Sequence, residues 1–518
     1  MNRIRVWIPI LLVFFSVVGF YGWTALSPHS GQKINGVWSE YFYQRAPSGY
    51  EQLTDAFLHG RLSMTELPKL ELLALTDPYD PVANGQLRHH DWVLFEGKYY
   101  LYWSPLPALL LFVPASVLGL PMNSALACIF LGSTLLASLL ALLSKIGPNF
   151  LLRYPLKATL LTLILGFGSY TPILLRRPAA YEVAILTGST FAALAMLLFL
   201  QSESAEKMKF LWASMAVLSS MLSFWSRPSF LFVPILIVGF IVFNNRFNVQ
   251  KIIFPIGAPV VAVASIIGLY NYLRFNSISE FGARYQLAGV RPTKFSVSWI
   301  IPKIQSDFGA YRFFDFFPWT TTGDSPFRGK LYPAYNIEPN LGLFVVLPWA
   351  LIICIVSWQK RDLLRQGLNN RLQVLIIACC TAAGAWLIQL ALVSGTTWRY
   401  LGDFAPFYLL VILALFMAIE SPFFELRLSL RWVMVLALLL IAFKNEFRGV
   451  ISIVAFSLCV FAFIAPFHRH YAIRLNKTGF LLTATLWTVG MIGLTSLTVG
   501  GLDPFKFFPC GFNWWEIC

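Results

Sequence analysis

Runs of about 20 apolar residues recur along the chain, and they limit what it can fold into. A helix of that length crosses the hydrocarbon core of a bilayer and satisfies its own backbone polar groups there. Hydrophobic residues make up 57% of the 518 residues and charged residues 12%, against about 25% charged in soluble domains. The sequence therefore predicts an all-α polytopic membrane protein, with residues 1–518 forming one integral membrane domain.

Thirteen apolar segments are predicted to span the membrane. They are Val6–Leu26, Pro121–Leu143, Ala158–Leu175, Tyr181–Gln201, Phe210–Trp225, Ser229–Phe243, Ile252–Phe275, Asn340–Trp358, Leu372–Val393, Ala405–Glu420, Val433–Phe443, Val450–Phe467 and Gly479–Gly500. A fourteenth stretch, Pro105–Leu120, is shorter and contains Pro107 and Pro114. Because proline interrupts helices, we expect this stretch to be re-entrant or to lie on the membrane surface.

Lysine and arginine fix the expected orientation. With the N-terminus in the cytoplasm, eighteen of these residues fall in cytoplasmic gaps and six in short outer gaps, as the positive-inside rule requires. Two large segments, 27–104 and 276–339, then face outward, as does a C-terminal tail over residues 501–518. The net charge of +15 is spread over these short gaps, which argues against nucleic-acid binding.

Ionisable side chains are sparse within the predicted spans and crowd the outer ends of helices. Ion-coupled transporters carry such groups within the membrane, so the distribution favours a reaction at the outer surface over transport. No GxxxxGK[ST] loop is present, which argues against an ATP-driven pump.

Carboxylates stand out in the first outer segment. Glu51 and Asp55 are four residues apart on a predicted amphipathic helix over residues 50–58, so they share one helix face. Asp77 and Asp80 belong to a rigid Asp-Pro-Tyr-Asp-Pro sequence that holds them in fixed orientation. Each pair has a structural alternative: a solvated helix face for the first, and turns that accept backbone hydrogen bonds for the second.

Three further segments carry a resemblance to a known family. Residues 50–60 contain Tyr-x-x-Leu-x-x-Ala-Phe-Leu-x-Gly, residues 98–107 read Lys-Tyr-Tyr-Leu-Tyr-Trp-Ser-Pro-Leu-Pro, and residues 398–406 contain Trp-Arg-Tyr-Leu-Gly-Asp-Phe-Ala-Pro. Together with the layout of spans and outer segments, they resemble the GT-C superfamily of polytopic glycosyltransferases. The closer similarity is to the bacterial protein-mannosyltransferase and aminoarabinose-transferase branch. Members of that branch have a Pro-Pro-Leu segment after the first outer loop, and this chain has Ser104 in place of one of the two prolines.

The resemblance implies a sugar donor linked to polyprenyl phosphate, and an inverting transfer at the outer face of the bacterial cytoplasmic membrane. A carboxylate acts as general base toward the acceptor hydroxyl. In this family the catalytic acid usually comes a few residues before the tyrosine that corresponds to Tyr50, where this chain has Arg45-Ala-Pro-Ser-Gly. The base therefore stays open among five candidates: Glu40, Glu51, Asp55, Asp77 and Asp80.

The leaving phosphate calls for a fixed cation, and arginine suits phosphate geometry. Arg399 is the first choice, and the arginines at other outer helix ends are second choices, each with the alternative of a plain interfacial anchor. The substrate-binding candidates are Arg399, Tyr400, Asp403, Arg227, Arg176, Tyr100 and Trp103. Asp315, in an aromatic run over residues 311–319, is a weaker candidate, and Glu182 is expected to cap its helix.

No residue is assigned as a metal ligand, and the dependence on a divalent metal stays open. The acceptor is a lipid, a glycan or a protein. Three other functions remain alternatives: a flippase or transporter of lipid-linked saccharides, a polysaccharide polymerase or ligase, and a membrane scaffold. A flippase should carry charge through the depth of the membrane, whereas a polymerase or ligase usually has its largest outer loop late in the chain.

Overall fold

The computed structural model describes residues 3–26, 49–89, 92–147, 155–175, 178–205, 207–246, 248–288, 296–307, 336–337, 371–392 and 395–419. Glu40, Arg176 and Asp315 lie outside the described residues. So do the predicted span Asn340–Trp358, the three predicted spans after residue 420, and the C-terminal tail.

Five helices among the described residues are long and apolar enough to cross a membrane, and the chain is an integral membrane protein. They are Trp7–Leu26, Ser124–Ile146, Ala180–Ser204, Gln250–Phe275 and Leu372–Ala391. Shorter apolar helices accompany them over Ala108–Val117, Pro228–Asn244 and Ala405–Leu415.

Helices and strands are numbered in chain order. The helices are α1 (Arg3–Leu26), α2 (Gly49–Leu58), α3 (Leu70–Leu73), α4 (Val113–Val117), α5 (Ser124–Ile146), α6 (Pro155–Gly168), α7 (Thr171–Leu175), α8 (Ala180–Ser204), α9 (Lys209–Ser226), α10 (Phe232–Asn244), α11 (Val249–Phe275), α12 (Ile300–Asp307), α13 (Leu372–Leu392) and α14 (Ala405–Ile419). The strands are β1 (Trp92–Phe95), β2 (Lys98–Leu101), β3 (Asn336–Ile337) and β4 (Gly395–Thr396).

Helices α8 and α9 pack against each other along their length, and small polar side chains join them. Three serines of α9 donate hydrogen bonds to backbone carbonyls of α8: Ser219 to Phe191 (2.8 Å), Ser223 to Gly188 (2.7 Å) and Ser226 to Ala184 (3.0 Å). The pairing runs in opposite directions along the two helices, so they are antiparallel. Small residues at such seams let helix backbones approach closely in a membrane.

The long helices run in alternating directions, so the bundle has two distinct ends. At one end, the Lys145 ammonium donates to the Gln201 side chain at 2.6 Å, and the Asn244 and Gln373 amides bond each other. The other end, which we call the loop end, holds the C-terminal ends of α1, α9, α11 and α13 and the starts of α5, α8 and α14. The first outer segment and the segment that follows α11 lie at this end.

A β-hairpin corrects the prediction of a purely helical chain. Strands β1 and β2 pair antiparallel around Glu96 and Gly97, whose φ angles are 47° and 70°, as a type I′ turn requires. Gln286 bridges to Val93, and the backbone N–H of Leu287 donates to the Trp92 carbonyl at 3.0 Å. The segment after α11 therefore docks onto the edge of the hairpin.

Residues 105–120 form short helices rather than one long span. A π-helical turn over Ala108–Phe112 continues into α4, and the ten residues reach only about 15 Å at helical rise. The chain turns at Gly119, with a φ of 67°, before α5 begins.

One predicted span is interrupted. The apolar run Ala158–Leu175 forms two helices, α6 and α7, rather than one. The break falls at Tyr170, which has a φ of 69° in the left-handed region that side chains rarely adopt.

Substitution of Gly188 tests the close packing around α8. A Cβ atom there would lie 2.5 Å from the Phe230 ring, which is fully buried and edge-on to Phe407. We expect Gly188→Ala to lower the free energy of unfolding by about 1–3 kcal/mol through overpacking, measured by denaturation in detergent. Gly239→Ala is the control, because no atom lies within 4 Å of its Cβ position; equal stability of the two variants would contradict the packing.

Candidate functional site

An ion pair joins two helix ends at the loop end of the bundle, with Asp403 fully buried and the Arg227 side chain 13% exposed. Arg227 directly follows α9, and Asp403 ends a 3-10 helix over Trp398–Asp403. The Arg227 Nε lies 2.9 Å from Oδ1 of Asp403, and Nη2 donates to Oδ2 at 2.9 Å. Burial is the largest single influence and lowers the pKa of Arg227, but attraction to Asp403 and the hydrogen bond with it, together with Tyr400 and Tyr181, raise the pKa above its ordinary value. The guanidinium therefore stays charged and fixed.

The side-chain amide of Gln389 connects this ion pair to a second one. Gln389 of α13 donates from Nε2 to Oδ2 of Asp403 at 2.8 Å and to the Tyr400 carbonyl at 3.1 Å. Its Oε1 accepts from Lys303 Nζ at 3.4 Å, and Lys303 pairs with Asp307 at 2.6 Å with both side chains fully buried. We call Arg227, Asp403, Gln389, Lys303 and Asp307 the buried ion network.

Arg399 and Trp103 meet on one aromatic ring beside this network. The Arg399 guanidinium carbon lies 4.7 Å from the centre of the Tyr181 ring, and the Trp103 ring packs edge-on against the same ring at 4.4 Å. Arg399 also donates from Nε to the Thr397 hydroxyl at 3.3 Å. A late segment and the first outer segment thus converge at the start of α8.

Tyr181 contacts Arg399 and influences Arg227, two of the substrate-binding candidates. Its ring centre lies 4.7 Å from the Arg399 guanidinium carbon, and it contributes, with Tyr400, to the raised pKa of Arg227. Tyr400 and Asp403, also candidates, belong to the same 3-10 helix as Arg399.

The two carboxylates of α2, Glu51 and Asp55, bond to different partners. Oε1 of Glu51 accepts from the backbone N–H of Ser124, the first residue of α5, at 2.9 Å. Asp55 accepts from the Thr65 hydroxyl at 2.6 Å and pairs with His59 at 3.3 Å. Tertiary partners therefore set the orientation of each carboxylate separately.

Asp77 and Asp80 each form a turn. The backbone N–H of Tyr79 donates to Oδ1 of Asp77 at 2.9 Å, and the N–H of Val82 donates to Oδ1 of Asp80 at 2.9 Å. These are the backbone-capping contacts that aspartate makes in turns, so the structural alternative is present at both positions.

Tyr100 packs against a different ring from Trp103. Its ring packs edge-on against Phe275 at 5.5 Å, and burial raises the pKa of its hydroxyl.

Glu182 sits in the first turn of α8, where its Oε2 accepts from the backbone N–H of Ala179 at 3.3 Å, as a helix-capping role predicts.

Sequence reasoning missed three residues of the buried ion network, Gln389, Lys303 and Asp307, and it also missed Tyr181. Lys303 and Asp307 are four residues apart, a spacing that also occurs on solvated helix faces. Gln389 is a polar residue within an apolar span, and that was the signal that could have found it. Among the described residues, no group of three or more His, Cys, Asp or Glu is arranged to hold a metal ion.

Comparison with known proteins finds a weak structural likeness. A solved structure of ArnT from Cupriavidus metallidurans bound to undecaprenyl phosphate is 13% identical, with 96% of this chain and 76% of that chain covered and a TM-score of 0.47. At this identity and TM-score the likeness assigns no function to the present chain. No protein-family model matches the chain, and no curated protein matches it.

Removal of one charge from the buried ion network should be strongly destabilising. Lys303→Met leaves Asp307 buried without its cation, so we expect a loss of about 3–5 kcal/mol in the free energy of unfolding. The double variant Lys303→Met/Asp307→Leu should lose less than the two single variants combined. Chemical denaturation in detergent measures all of these variants.

The Glu280–Arg284 pair provides the control for this comparison. It has the same four-residue spacing, but the Arg284 side chain is 80% exposed and the two groups are 3.7 Å apart. We expect Arg284→Met to change stability by less than about 1 kcal/mol. An equally small effect at Lys303 would mean that the network contributes nothing to folding.

Proposed function

We propose that the protein is a GT-C-type glycosyltransferase that moves a sugar from a polyprenyl-phosphate carrier to an acceptor. The observation that carries the proposal is the meeting of Arg399 and Trp103 on the Tyr181 ring. It brings together two segments that resemble GT-C motifs at separate places in the chain. A site at one end of the membrane helices suits a donor whose polyprenyl tail stays in the lipid.

Arg399 is the residue we assign to the carrier phosphate. Its guanidinium is half-buried and lies over an aromatic face, an arrangement that holds the planar group in place. Arg227 is already engaged by both carboxylate oxygens of Asp403. We therefore assign Arg227 to positioning the 3-10 helix that carries Arg399, and Arg399 to stabilising the charge that develops on the leaving phosphate.

The reaction is a single displacement with inversion. A carboxylate takes the proton from the acceptor hydroxyl, the oxygen attacks the anomeric carbon, and the bond from that carbon to the phosphate oxygen breaks. Polyprenyl phosphate leaves with the electron pair. Glu51 and Asp55 lie on α2 at the loop end, where Glu51 accepts from the backbone N–H at the start of α5, which supports the first outer segment as the source of the base.

The loop end is proposed to face outward from a bacterial cytoplasmic membrane. Lys145 and Arg371 lie at the opposite end, where Arg371 donates to the carbonyl of Ile146 at the end of α5. Basic residues at that end match the side that the positive-inside rule assigns to the cytoplasm.

Replacement of Arg399 should abolish most of the transfer activity. We expect Arg399→Ala to lower kcat/KM by about 100- to 1,000-fold, as for loss of one group that stabilises a developing oxyanion. Arg399→Lys should recover only part of this, because lysine does not reproduce the stacked planar contact. The measurement is release of polyprenyl phosphate from a polyprenyl-phosphoryl sugar in the presence of acceptor.

Arg284→Ala is the matched control for Arg399, because Arg284 is exposed at the same end of the bundle. Full activity of Arg399→Ala would refute the assignment. Movement of the intact lipid across liposomes without bond cleavage would favour a flippase instead.

A scan of the five carboxylates should locate the base. Glu40→Gln, Glu51→Gln, Asp55→Asn, Asp77→Asn and Asp80→Asn remove one charge each, and loss of a general base costs about 100- to 10,000-fold in rate. We expect one of these variants to show that loss at unchanged protein level. Glu71→Gln, on the exposed side of α3, is the control, and full activity of all five variants would refute a base in the first outer segment.

A further inference from the structure

One arginine at the loop end is buried and has only uncharged partners. Arg274, in the last turn of α11, is 5% exposed. Its Nη1 donates to the Leu101 carbonyl at 3.1 Å and its Nη2 to the Asn271 side chain at 2.9 Å, whereas its Nε has no hydrogen-bond partner. Among the residues that the structure describes, no carboxylate forms an ion pair with this guanidinium.

Aromatic rings complete the surroundings of this guanidinium. Its central carbon lies 4.0 Å from the centre of the Tyr270 ring and 4.5 Å from that of the Phe275 ring. Aromatic faces attract and orient a cation, but they carry no net charge that could neutralise it. Glu280 acts on the guanidinium from a distance, while its own carboxylate accepts from the backbone N–H of Gly282 at 2.7 Å and lies 3.7 Å from Arg284.

The other buried cations of this end have their own carboxylates. Arg227 lies 2.9 Å from the carboxylate of Asp403, and Lys303 lies 2.6 Å from that of Asp307. A buried charge without a counterion is strongly unfavourable, and an apolar side chain would fill such a place without that penalty. Arg274 therefore points to an anionic group of a ligand that pairs with it.

Arg274 and Arg399 both contact the region of one short stretch of chain. Leu101 accepts from Arg274, and Trp103, two residues later, packs on the Tyr181 ring that Arg399 covers. Two residues of extended chain span at most about 7 Å, which is comparable to the length of one sugar unit with its substituents. The two arginines therefore suit a molecule whose two anionic groups are separated by one sugar.

We propose that Arg274 binds a carboxylate on the transferred sugar, so that the donor carries an acidic sugar of the hexuronic acid class. This inference rests on the proposed function, in which Arg399 holds the carrier phosphate. A carboxylate accepts charge-assisted hydrogen bonds from a guanidinium, and the unpaired Nε of Arg274 is a donor for one of them. The single negative charge of the carboxylate matches the one positive charge that has no ion-pair partner.

The test compares binding of three lipids to the full chain in detergent by native mass spectrometry. They are a bare polyprenyl phosphate, the same lipid carrying glucose, and the same lipid carrying glucuronic acid, so the two sugars differ only in a hydroxymethyl group against a carboxylate. We expect the wild type to bind the glucuronic acid lipid about 10- to 100-fold more tightly than the glucose lipid, the effect of hydrogen bonds to a charged group. Arg274→Gln should abolish this preference and leave the affinity for the other two lipids unchanged.

Arg284→Gln is the matched control, because Arg284 lies at the same end of the bundle but its side chain is 80% exposed. This variant should keep the full preference for the acidic sugar. An unchanged melting temperature shows that Arg274→Gln is folded. The wild-type comparison needs no variant, so it tests the carboxylate site even if Arg274→Gln does not fold.

The outcomes separate the acidic sugar from the proposed function. Equal affinity of the wild type for the two loaded lipids would refute the carboxylate site and leave the proposed function standing. An equal loss of affinity for all three lipids in Arg274→Gln would place Arg274 on the carrier phosphate, and this too would refute the acidic sugar. If the wild type binds none of the three lipids, the proposed function and the inference both fail.

Discussion

The Arg227–Asp403 ion pair is the interaction on which the loop end depends. It connects the end of α9 to the 3-10 helix before α14, two segments far apart in the sequence. Removing two charges from water is costly, so a buried pair contributes little net stability; its value lies in position, because any arrangement that separates the buried charges is strongly unfavourable. Gln389 extends the constraint, since its amide accepts from Lys303 of α12 and donates to Asp403. Arg399 therefore sits in a short helix held by buried polar contacts, the kind of rigid support that a substrate-binding cation requires.

Much of the helical framework could be predicted from hydropathy, because the bilayer imposes a length on each span. Helix α8 extends the predicted span Tyr181–Gln201 by one residue at its start and three at its end. The break at Tyr170 could not be predicted in this way, since its left-handed conformation is not encoded by a glycine or proline at that position. The hairpin was missed although Glu96-Gly97 between aromatic residues is a recognisable turn signal.

The candidate site was predictable in its parts but not in its assembly. Arg399 and Trp103 were each identifiable from their local sequence, but nothing local shows that both contact Tyr181. Helical spacing correctly placed Glu51 and Asp55 on one helix, yet the groups that they bond come from tertiary folding, from α5 and from the chain beyond α2. Sequence periodicity fixes a helix face, whereas the direction of a long side chain is decided by the groups around it.

Two of the cations at the loop end, Arg227 and Lys303, hold the structure together. Arg227 and Lys303 are each matched by a buried carboxylate, so they hold the structure and exert little net attraction on a ligand. Arg399 lies over the Tyr181 ring, on the 3-10 helix that the Arg227–Asp403 pair anchors. A guanidinium on a short helix anchored in this way has a fixed position at the loop end, and a fixed position is what a cation needs if it is to hold an anionic group in one orientation.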